Sequence, residues 1–488
     1  MNYSVKILPY GKTVTAPEGK NLLELLREGG YVIDAPCGGH GTCGKCKVIV
    51  DGKEVLSCNT VINTDMTVFI PKNTTEHITT KTAQNREPIN SCEDYLLAFD
   101  IGTTTVVCYL LDKNGKELAT ASALNPQTTY GADIVSRIQA GIDGHDAHMK
   151  ELIKETMCKL IKELCDSLSI AENQIKKISV VANPAMQQLF MGINLYNLVE
   201  IPYVPVITKA ETVSAKDFLP CCPNAELLIV PDISAYVGSD TLACVFATKM
   251  YEAEKNILMV DIGTNGEMVF GNSENMVACS TAAGPAFEGA RIKFGMRGTT
   301  GAIDRVWSEN GQIKCHVIGE GIAIGICGSG LIDAVAVALE QGLINARGKI
   351  LTDDEIEGQR IIRLSDSVYL TQNDIHEVQL AKSAIASGIE LMISHCGCNT
   401  AQVDEVLLAG AFGSFINPES ACRIGMLPKE LKGKITAVGN AAGEGAKMLV
   451  SDSNLFLSSQ NLIEQIECIE LATDKNFPRV FAKNILFK

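Results

Sequence analysis

Apolar residues on alternate positions open the chain, in Tyr3-Ser4-Val5-Lys6-Ile7. Val5 to Leu8 and Thr13 to Ala16 read as two strands joined through Pro9-Tyr10-Gly11. A short helix is predicted from Asn21 to Arg27, followed by a glycine-rich loop from Cys37 to Cys46. Val48-Ile49-Val50 and Lys53-Glu54-Val55 then flank Asp51-Gly52, a dipeptide that favours a two-residue hairpin because both central positions take positive φ. Residues 1–71 thus outline an α+β, β-grasp, ferredoxin-like domain. Residues 72–94, beginning Lys72-Asn73-Thr74-Thr75-Glu76, are polar and carry no apolar periodicity, which predicts a linker.

From residue 95 to 488, apolar strands, glycine turns and helical patterns alternate as in a large α/β domain. Met149, Leu152, Ile153, Met157, Leu160, Ile161, Leu164 and Leu168 recur at the spacing of one helix face. The segment Leu96-Leu97-Ala98-Phe99-Asp100-Ile101-Gly102-Thr103-Thr104 returns as Leu258-Met259-Val260-Asp261-Ile262-Gly263-Thr264-Asn265. A repeated apolar strand ending in Asp-Ile-Gly-Thr implies two related lobes, about 95–255 and 256–488.

With 488 residues, 46% of them hydrophobic, the chain can bury several cores. Its formal charge of −15 gives little drive to bind nucleic acid or an anionic membrane, so protein and small-molecule partners are expected. Met1 leads into a strand pattern and not a signal peptide, which predicts a cytoplasmic protein. Gly321 to Leu339 is the most membrane-like stretch, but it carries Asp333 and four glycines, and reads as a buried glycine-rich turn feeding a helix. Most of the 18 cysteines, Cys108, Cys158 and Cys165 among them, are expected as small core hydrophobes. His395-Cys396-Gly397-Cys398 reads as a helix-ending turn.

Cys37, Cys43, Cys46 and Cys58 are arranged differently, as C-x5-C-x2-C-x11-C around Gly38, Gly39, Gly41 and Gly44. The spacing is close to that of plant-type ferredoxins with one residue added to the first gap, and glycines let backbone amides approach bridging sulfides. A four-cysteine zinc site is the alternative, although zinc ribbons usually offer two separated C-x2-C knuckles. His40, inside the loop, is expected to be exposed and not a ligand.

Asp100-Ile101-Gly102-Thr103-Thr104-Thr105 runs into the apolar segment Val106 to Leu111, so the loop is expected at a hairpin tip. There, consecutive backbone N–H groups and threonine hydroxyls can form an anion-binding nest, while the aspartate holds Mg²⁺ directly or through water. The copy at Asp261 can supply the opposing loop, clamping a triphosphate without a Walker A motif. Val406 to Gly413 is a strand leading into small residues, where a nucleoside can lie close to backbone.

These residues resemble the ATP-dependent reductive activators of corrinoid proteins. That family joins a [2Fe-2S] ferredoxin-like domain to a two-lobed actin-like (ASKHA, ribonuclease H-like) ATPase domain. The resemblance covers nearly the whole chain. It rests on Cys37 to Cys46, Asp261 to Glu267, Ala282-Ala283-Gly284-Pro285-Ala286-Phe287-Glu288-Gly289, Gly295-Met296-Arg297, Ile326-Cys327-Gly328-Ser329-Gly330, Ala381-Lys382 and Ala409-Gly410-Ala411-Phe412-Gly413. It implies that Asp100, Gly102, Thr103 and Thr104 form the first phosphate loop, Asp261, Gly263 and Thr264 the second, and that Gly410 and Gly413 line the adenosine site. Ala182-Asn183-Pro184-Ala185-Met186 departs from the family's Gly-Asn-Thr-Met-like form, and no role is assigned to Asn183. Glu267, Glu288, Arg297 and Asp333 stand open between orienting the attacking water and packing the lobes together.

The resemblance further implies electron transfer from the cluster, with ATP and Mg²⁺, that returns an oxidised corrinoid protein from Co(II) to Co(I). The partners would be the corrinoid protein of a methyltransferase system and an external donor such as a ferredoxin or flavoprotein. A homodimer is compatible with it. The alternatives are an activator of another radical or reductive enzyme, and a redox-gated nucleotide-binding sensor. A sugar kinase is possible on fold grounds, but a ferredoxin domain has no part in that chemistry.

Overall fold

The computed structural model describes residues 2–29, 31, 33, 39, 41, 46–71, 94–410 and 412–487. Cys37, Cys43, His40, Ala411 and nearly all of the expected linker lie outside them. In the front domain β1 (Asn2–Leu8) and β2 (Lys12–Pro17) are followed by α1 (Leu22–Glu28), β3 (Lys47–Val50), β4 (Lys53–Leu56) and β5 (Met66–Phe69). The sheet order is β2-β1-β5-β3-β4, with β1 and β5 parallel. Asn21 caps α1, its Oδ1 accepting from Leu23 N at 2.9 Å, and so the helix begins one residue beyond the predicted start. Val5, Ile7, Leu22, Leu26, Val48 and Val68 bury the helix against the sheet. Asp51 and Gly52, at φ 47° and 84°, turn β3 into β4 as their dipeptide predicts.

The first lobe starts with a meander of β6 (Tyr95–Ile101), β7 (Thr105–Asp112) and β8 (Glu117–Leu124). After it come α2 (Ile134–Ala140), α3 (Asp146–Leu168), β9 (Ile175–Ala182), α4 (Pro184–Met191), β10 (Glu211–Ser214), β11 (Glu226–Ile229) and α5 (Ser239–Thr248). The second lobe repeats the meander with β12 (Ile257–Ile262), β13 (Gly266–Gly271) and β14 (Met276–Thr281). It continues through β15 (Ala302–Glu309), β16 (Gln312–Val317), β17 (Gly325–Ile326) and α6 (Gly328–Glu340). Two short hairpins follow, β18 (Glu355–Ile356) with β19 (Gln359–Arg360) and β20 (Ile362–Arg363) with β21 (Tyr369–Leu370). The chain ends with α7 (Gln372–His395), β22 (Glu405–Ala409), α8 (Pro418–Arg423), β23 (Ile435–Gly439), α9 (Ala441–Ser451), α10 (Ser453–Ile463), β24 (Ile466–Ile469) and α11 (Phe477–Asn484).

The sheets repeat each other: β10-β11-β9-β6-β7-β8 in one lobe and β23-β22-β12-β13-β14-β24 in the other. In each, the first meander strand has a parallel neighbour on its outer side, β9 beside β6 and β22 beside β12. The sequence echo is therefore an architectural repeat, the actin-like arrangement. Between the sheets, α5 and α9 pack together in a core to which both lobes contribute, including Ala98, Leu111, Leu242, Met259, Ala442 and Leu449.

The Gly321–Leu339 stretch differs from its expectation at its start. Ile322 is 82% exposed and Ile324 64%, with Ala323 buried between them, and burial becomes continuous from β17 into α6. Ala323 joins the second-lobe core and Ile324 lies beside Gly301, so the isoleucines are exposed in a turn that leads inward where β17 pairs with β15. Among the described residues, no helix is long and apolar enough to cross a membrane.

Candidate functional site

Both Asp-Ile-Gly-Thr loops lie where predicted, at the tips of the β6–β7 and β12–β13 hairpins. Each tip closes on a backbone bond, Gly102 N to Thr105 O and Gly263 N to Asn265 O, both 2.9 Å. The two tips face each other across a cleft, and Glu288 spans it. Thr104 Oγ1 donates to one carboxylate oxygen of Glu288 at 2.6 Å, and Thr264 Oγ1 donates to the other at 2.5 Å. Glu288 thus joins threonines 184 and 24 residues away from it in sequence.

Below the threonines the cleft floor is acidic. Asp100 accepts from Asn440 Nδ2 at 2.8 Å, and that amide also reaches Tyr109 Oη at 3.1 Å. Asp261 stands opposite Glu267 across β12 and β13 and 3.8 Å from Cys244 Sγ, while Asp240 enters from the first turn of α5. Loss of solvation pushes Asp100 up to about 6, the Asn440 bond opposing the rise. Desolvation, then the field of Asp100, moves Asp240 and Asp261 each up to about 7. Burial followed by repulsion from Asp240 and Asp261 drives Glu267 well above the usual carboxylate range.

Among the described residues, no three histidine, cysteine or acidic side chains converge closely enough to chelate a metal directly. Spaced carboxylates that repel one another instead fit a cation holding its own water shell, as Mg²⁺ does beside phosphates. Gly410 borders the same floor. It has φ +87°, and a Cβ there would stand 2.4 Å from Asp261 Oδ1. Gly413 opens the 3-10 turn Gly413–Phe415, where a Cβ would lie 3.4 Å from the Leu408 backbone. Gly410 therefore approaches the carboxylate of the second loop as well as the expected nucleoside side.

Several residues that hold the loops were not among those singled out. Arg137, wholly buried on α2, donates to the carbonyls of Gly131 (2.9 Å) and Thr103. Burial lowers it to about 9, and Glu288 opposes the fall. Asn183, left without a role, caps α4 by accepting from Met186 N at 3.0 Å and donates to Thr103 Oγ1 at 3.2 Å. Asn125, also fully buried, donates from Nδ2 to Gly102 O at 2.9 Å and from its backbone to Thr104 O at 2.8 Å. Asn183-Pro184 and Asn125-Pro126 are legible as helix starts, since an asparagine cap precedes a proline at the first helical position. Arg137 carries no such signal. Of the four polar residues left open, Glu288 faces the loops, while Asp333 accepts from Ser420 Oγ at 2.6 Å and Val306 N at 3.3 Å as a packing group.

In the front domain, Cys46 and Cys58 converge with their sulfurs 3.2 Å apart, both buried. Ser57 donates to Cys46 O from its backbone at 2.8 Å and from Oγ at 3.0 Å, and Asn21 Nδ2 donates to Cys58 O at 2.8 Å. The pair is too far apart for a bond, which needs about 2.05 Å, and suits two ligands aimed at one centre. Gly39 and Gly41, with φ of +102° and +73°, lie beside this pair in conformations that favour glycine.

Residues 5–68 match the family described as a 2Fe-2S iron-sulfur cluster binding domain. Residues 95–253 match the RACo middle region and residues 255–488 the C-terminal, ASKHA domain of RACo. The corrinoid activation enzyme RamQ of Eubacterium limosum is 35% identical over 460 residues, covering 89% of this chain and 74% of that protein. The [Co(II) methylated amine-specific corrinoid protein] reductase of Methanosarcina barkeri is 25% identical over 422 residues, covering 78% and 75% respectively. A solved reductive activator for a corrinoid, iron–sulfur protein superposes with a TM-score of 0.74 at 27% identity, over 99% of this chain and 98% of that one. With the ferredoxin-type front domain, the repeated lobes and these relatives together, the chain belongs to the reductive activators of corrinoid proteins.

Proposed function

We propose that this protein uses ATP to drive one electron from its [2Fe-2S] cluster onto a corrinoid protein, returning cobalt from Co(II) to Co(I). The observation that carries the reading is the doubled Asp-Ile-Gly-Thr cleft, joined by Glu288 between Thr104 and Thr264, behind a domain that aims Cys46 and Cys58 at one point. Cys37, Cys43, Cys46 and Cys58 hold the cluster. When bound, it supplies a one-electron carrier with a potential of roughly −400 mV. Each step of about 59 mV against the electron costs a factor of ten in equilibrium constant, so reaching Co(I) calls for a second energy source.

The cleft supplies it. Asp100 and Asp261 hold hydrated Mg²⁺, Gly102, Thr103, Thr104, Gly263 and Thr264 receive the phosphates, and Gly410 and Gly413 border the adenosine. Glu288 acts as a latch: a triphosphate competes with its carboxylate for both threonine hydroxyls, and like charges drive the carboxylate off. Opening the latch changes the angle between the lobes about the α5–α9 core. To shift the electron, the ATP-bound form must interact differently with the oxidised and the reduced partner. An external low-potential donor, a ferredoxin or flavoprotein, refills the cluster in the cytosol.

The test is to incubate the reconstituted, reduced protein with a purified Co(II) corrinoid protein and follow Co(I) absorbance. Co(I) should accumulate with Mg·ATP and fail to do so without it or without the cluster. Equal accumulation in all three would end the reading.

A further inference from the structure

A side-chain contact joins the cluster domain to the first lobe. Arg27, in the last turn of α1, places its guanidinium over the ring of Tyr130 at 5.2 Å from the centroid. Toward the cysteines, a Cβ built on Gly39 would stand 3.8 Å from Arg27 Nη1 and 3.9 Å from Cys58 Cβ. Arg27 therefore lies between the cluster loop and the first lobe.

Tyr130 is set to report on the phosphate loop. It is buried at the end of the 3-10 turn Pro126–Tyr130, and its hydroxyl hydrogen-bonds with His148 Nδ1 at 2.6 Å. Both ends of this turn are fastened to the first Asp-Ile-Gly-Thr loop. At the front, Asn125 bonds Gly102 O and Thr104 O; at the back, Gly131 O and Thr103 O share the guanidinium of Arg137. Any displacement of Gly102 to Thr104 moves the platform that carries Tyr130. The loop has a switchable partner, because Thr104 is bonded to Glu288 across the cleft.

We infer that Arg27 and Tyr130 form the coupling contact between the nucleotide cleft and the cluster, so that occupancy of the phosphate loop changes the position of a positive charge beside the cluster loop and with it the ease of reducing the cluster. Both are positioning residues. A cation near a cluster stabilises the reduced form, which carries one more negative charge, so moving it shifts the potential. The inference rests on the functional reading above and adds the route by which one site influences the other. The contacts run from Arg27, which borders the Gly39–Cys58 side of the cluster domain, through Tyr130 and the turn that carries it to Asn125, Thr104 and Glu288.

The experiment is an equilibrium redox titration of the reconstituted full-length protein, read by the electron paramagnetic resonance of the reduced cluster, with and without the Mg²⁺ complex of the non-hydrolysable imido analogue of ATP. In the unaltered protein the analogue should change the reduced-to-oxidised ratio at fixed potential at least threefold, about 28 mV at about 59 mV per decade. Tyr130→Leu and Arg27→Gln should each lose that response while keeping cluster absorbance and analogue affinity. Tyr130→Phe, which keeps the ring face and loses the hydroxyl, should retain it. Should Tyr130→Leu take up no cluster, Arg27→Gln decides. A full response persisting in Arg27→Gln, or no response in an unaltered protein that still forms Co(I), overturns the inference alone. Failure of the unaltered protein to bind the analogue or a cluster overturns the functional reading, and this inference with it.

Discussion

Gly410 shows how little room the cleft leaves around Asp261. A methyl group there would meet Asp261 Oδ1 at 2.4 Å in a backbone conformation of φ +87° that alanine resists. Gly410→Ala is expected to lose about 1–2 kcal/mol of unfolding free energy by denaturant titration. It should also weaken Mg·ATP binding in calorimetry; unchanged affinity would mean that Asp261 does not need its present position. Glu288 gives a prediction of opposite sign. Its carboxylate holds both threonines through charge-assisted bonds, worth roughly 1.5–3 kcal/mol each, so Glu288→Gln should tighten Mg·ATP binding by about tenfold or more as the latch weakens. Slower ATP hydrolysis with unaltered affinity would instead make Glu288 a water-orienting group.

The acidic floor adds a pH dependence. Asp100, Asp240 and Asp261 rise from an ordinary value of 3.8 to about 6, 7 and 7. A carboxyl whose native pKa is raised contributes stability that is fully present below about pH 4 and lost as pH climbs through 6 to 7. The metal-free protein should therefore lose thermal stability between pH 5.5 and 8 at constant ionic strength. Mg²⁺ should restore it at pH 8 and have little effect at pH 5.5, as scanning calorimetry can record. A Mg²⁺ effect of equal size at both values would contradict a cation site on these carboxylates.

Asn440 illustrates the next scale, where one side chain starts an element and reaches another lobe. Its Oδ1 accepts from Gly443 N at 3.0 Å to cap α9, while Nδ2 serves Asp100, 340 residues away. Asn440→Ala should cost about 1 kcal/mol for the cap and raise Asp100 further, since the lost bond favours the charged form. Asn440→Asp would keep the cap and place a second carboxylate against Asp100, so its nucleotide affinity should fall further than that of Asn440→Ala as pH rises. Elements such as α3 and the Asp51-Gly52 hairpin were legible in the sequence because periodicity and turn chemistry are local. The repeated Asp-Ile-Gly-Thr strand disclosed the two lobes, since β6 and β12 occupy equivalent places in their sheets. Asn440, Arg137 and the Glu288 bridge were not legible in their roles. Their partners are fixed by how distant strands meet, and a single sequence carries no periodic trace of that.

At the scale of the molecule, α5 and α9 unite the lobes in one shared core, and Arg27 on Tyr130 ties the cluster domain to the first lobe. Nucleotide chemistry at one end and electron chemistry at the other thus sit on a continuous body. Cys46→Ser or Cys58→Ser should abolish the cluster absorbance and Co(I) formation while leaving nucleotide affinity within about twofold, because neither thiol belongs to the cleft. Transfer from cluster to cobalt driven by ATP is tested most directly by freeze-quenching the reduced protein after mixing with a Co(II) corrinoid protein, and counting reduced-cluster and Co(II) spins by electron paramagnetic resonance. With Mg·ATP the two signals should fall together, one for one. Equal loss of Co(II) without ATP, or loss of Co(II) while the cluster signal stands unchanged, would contradict the account.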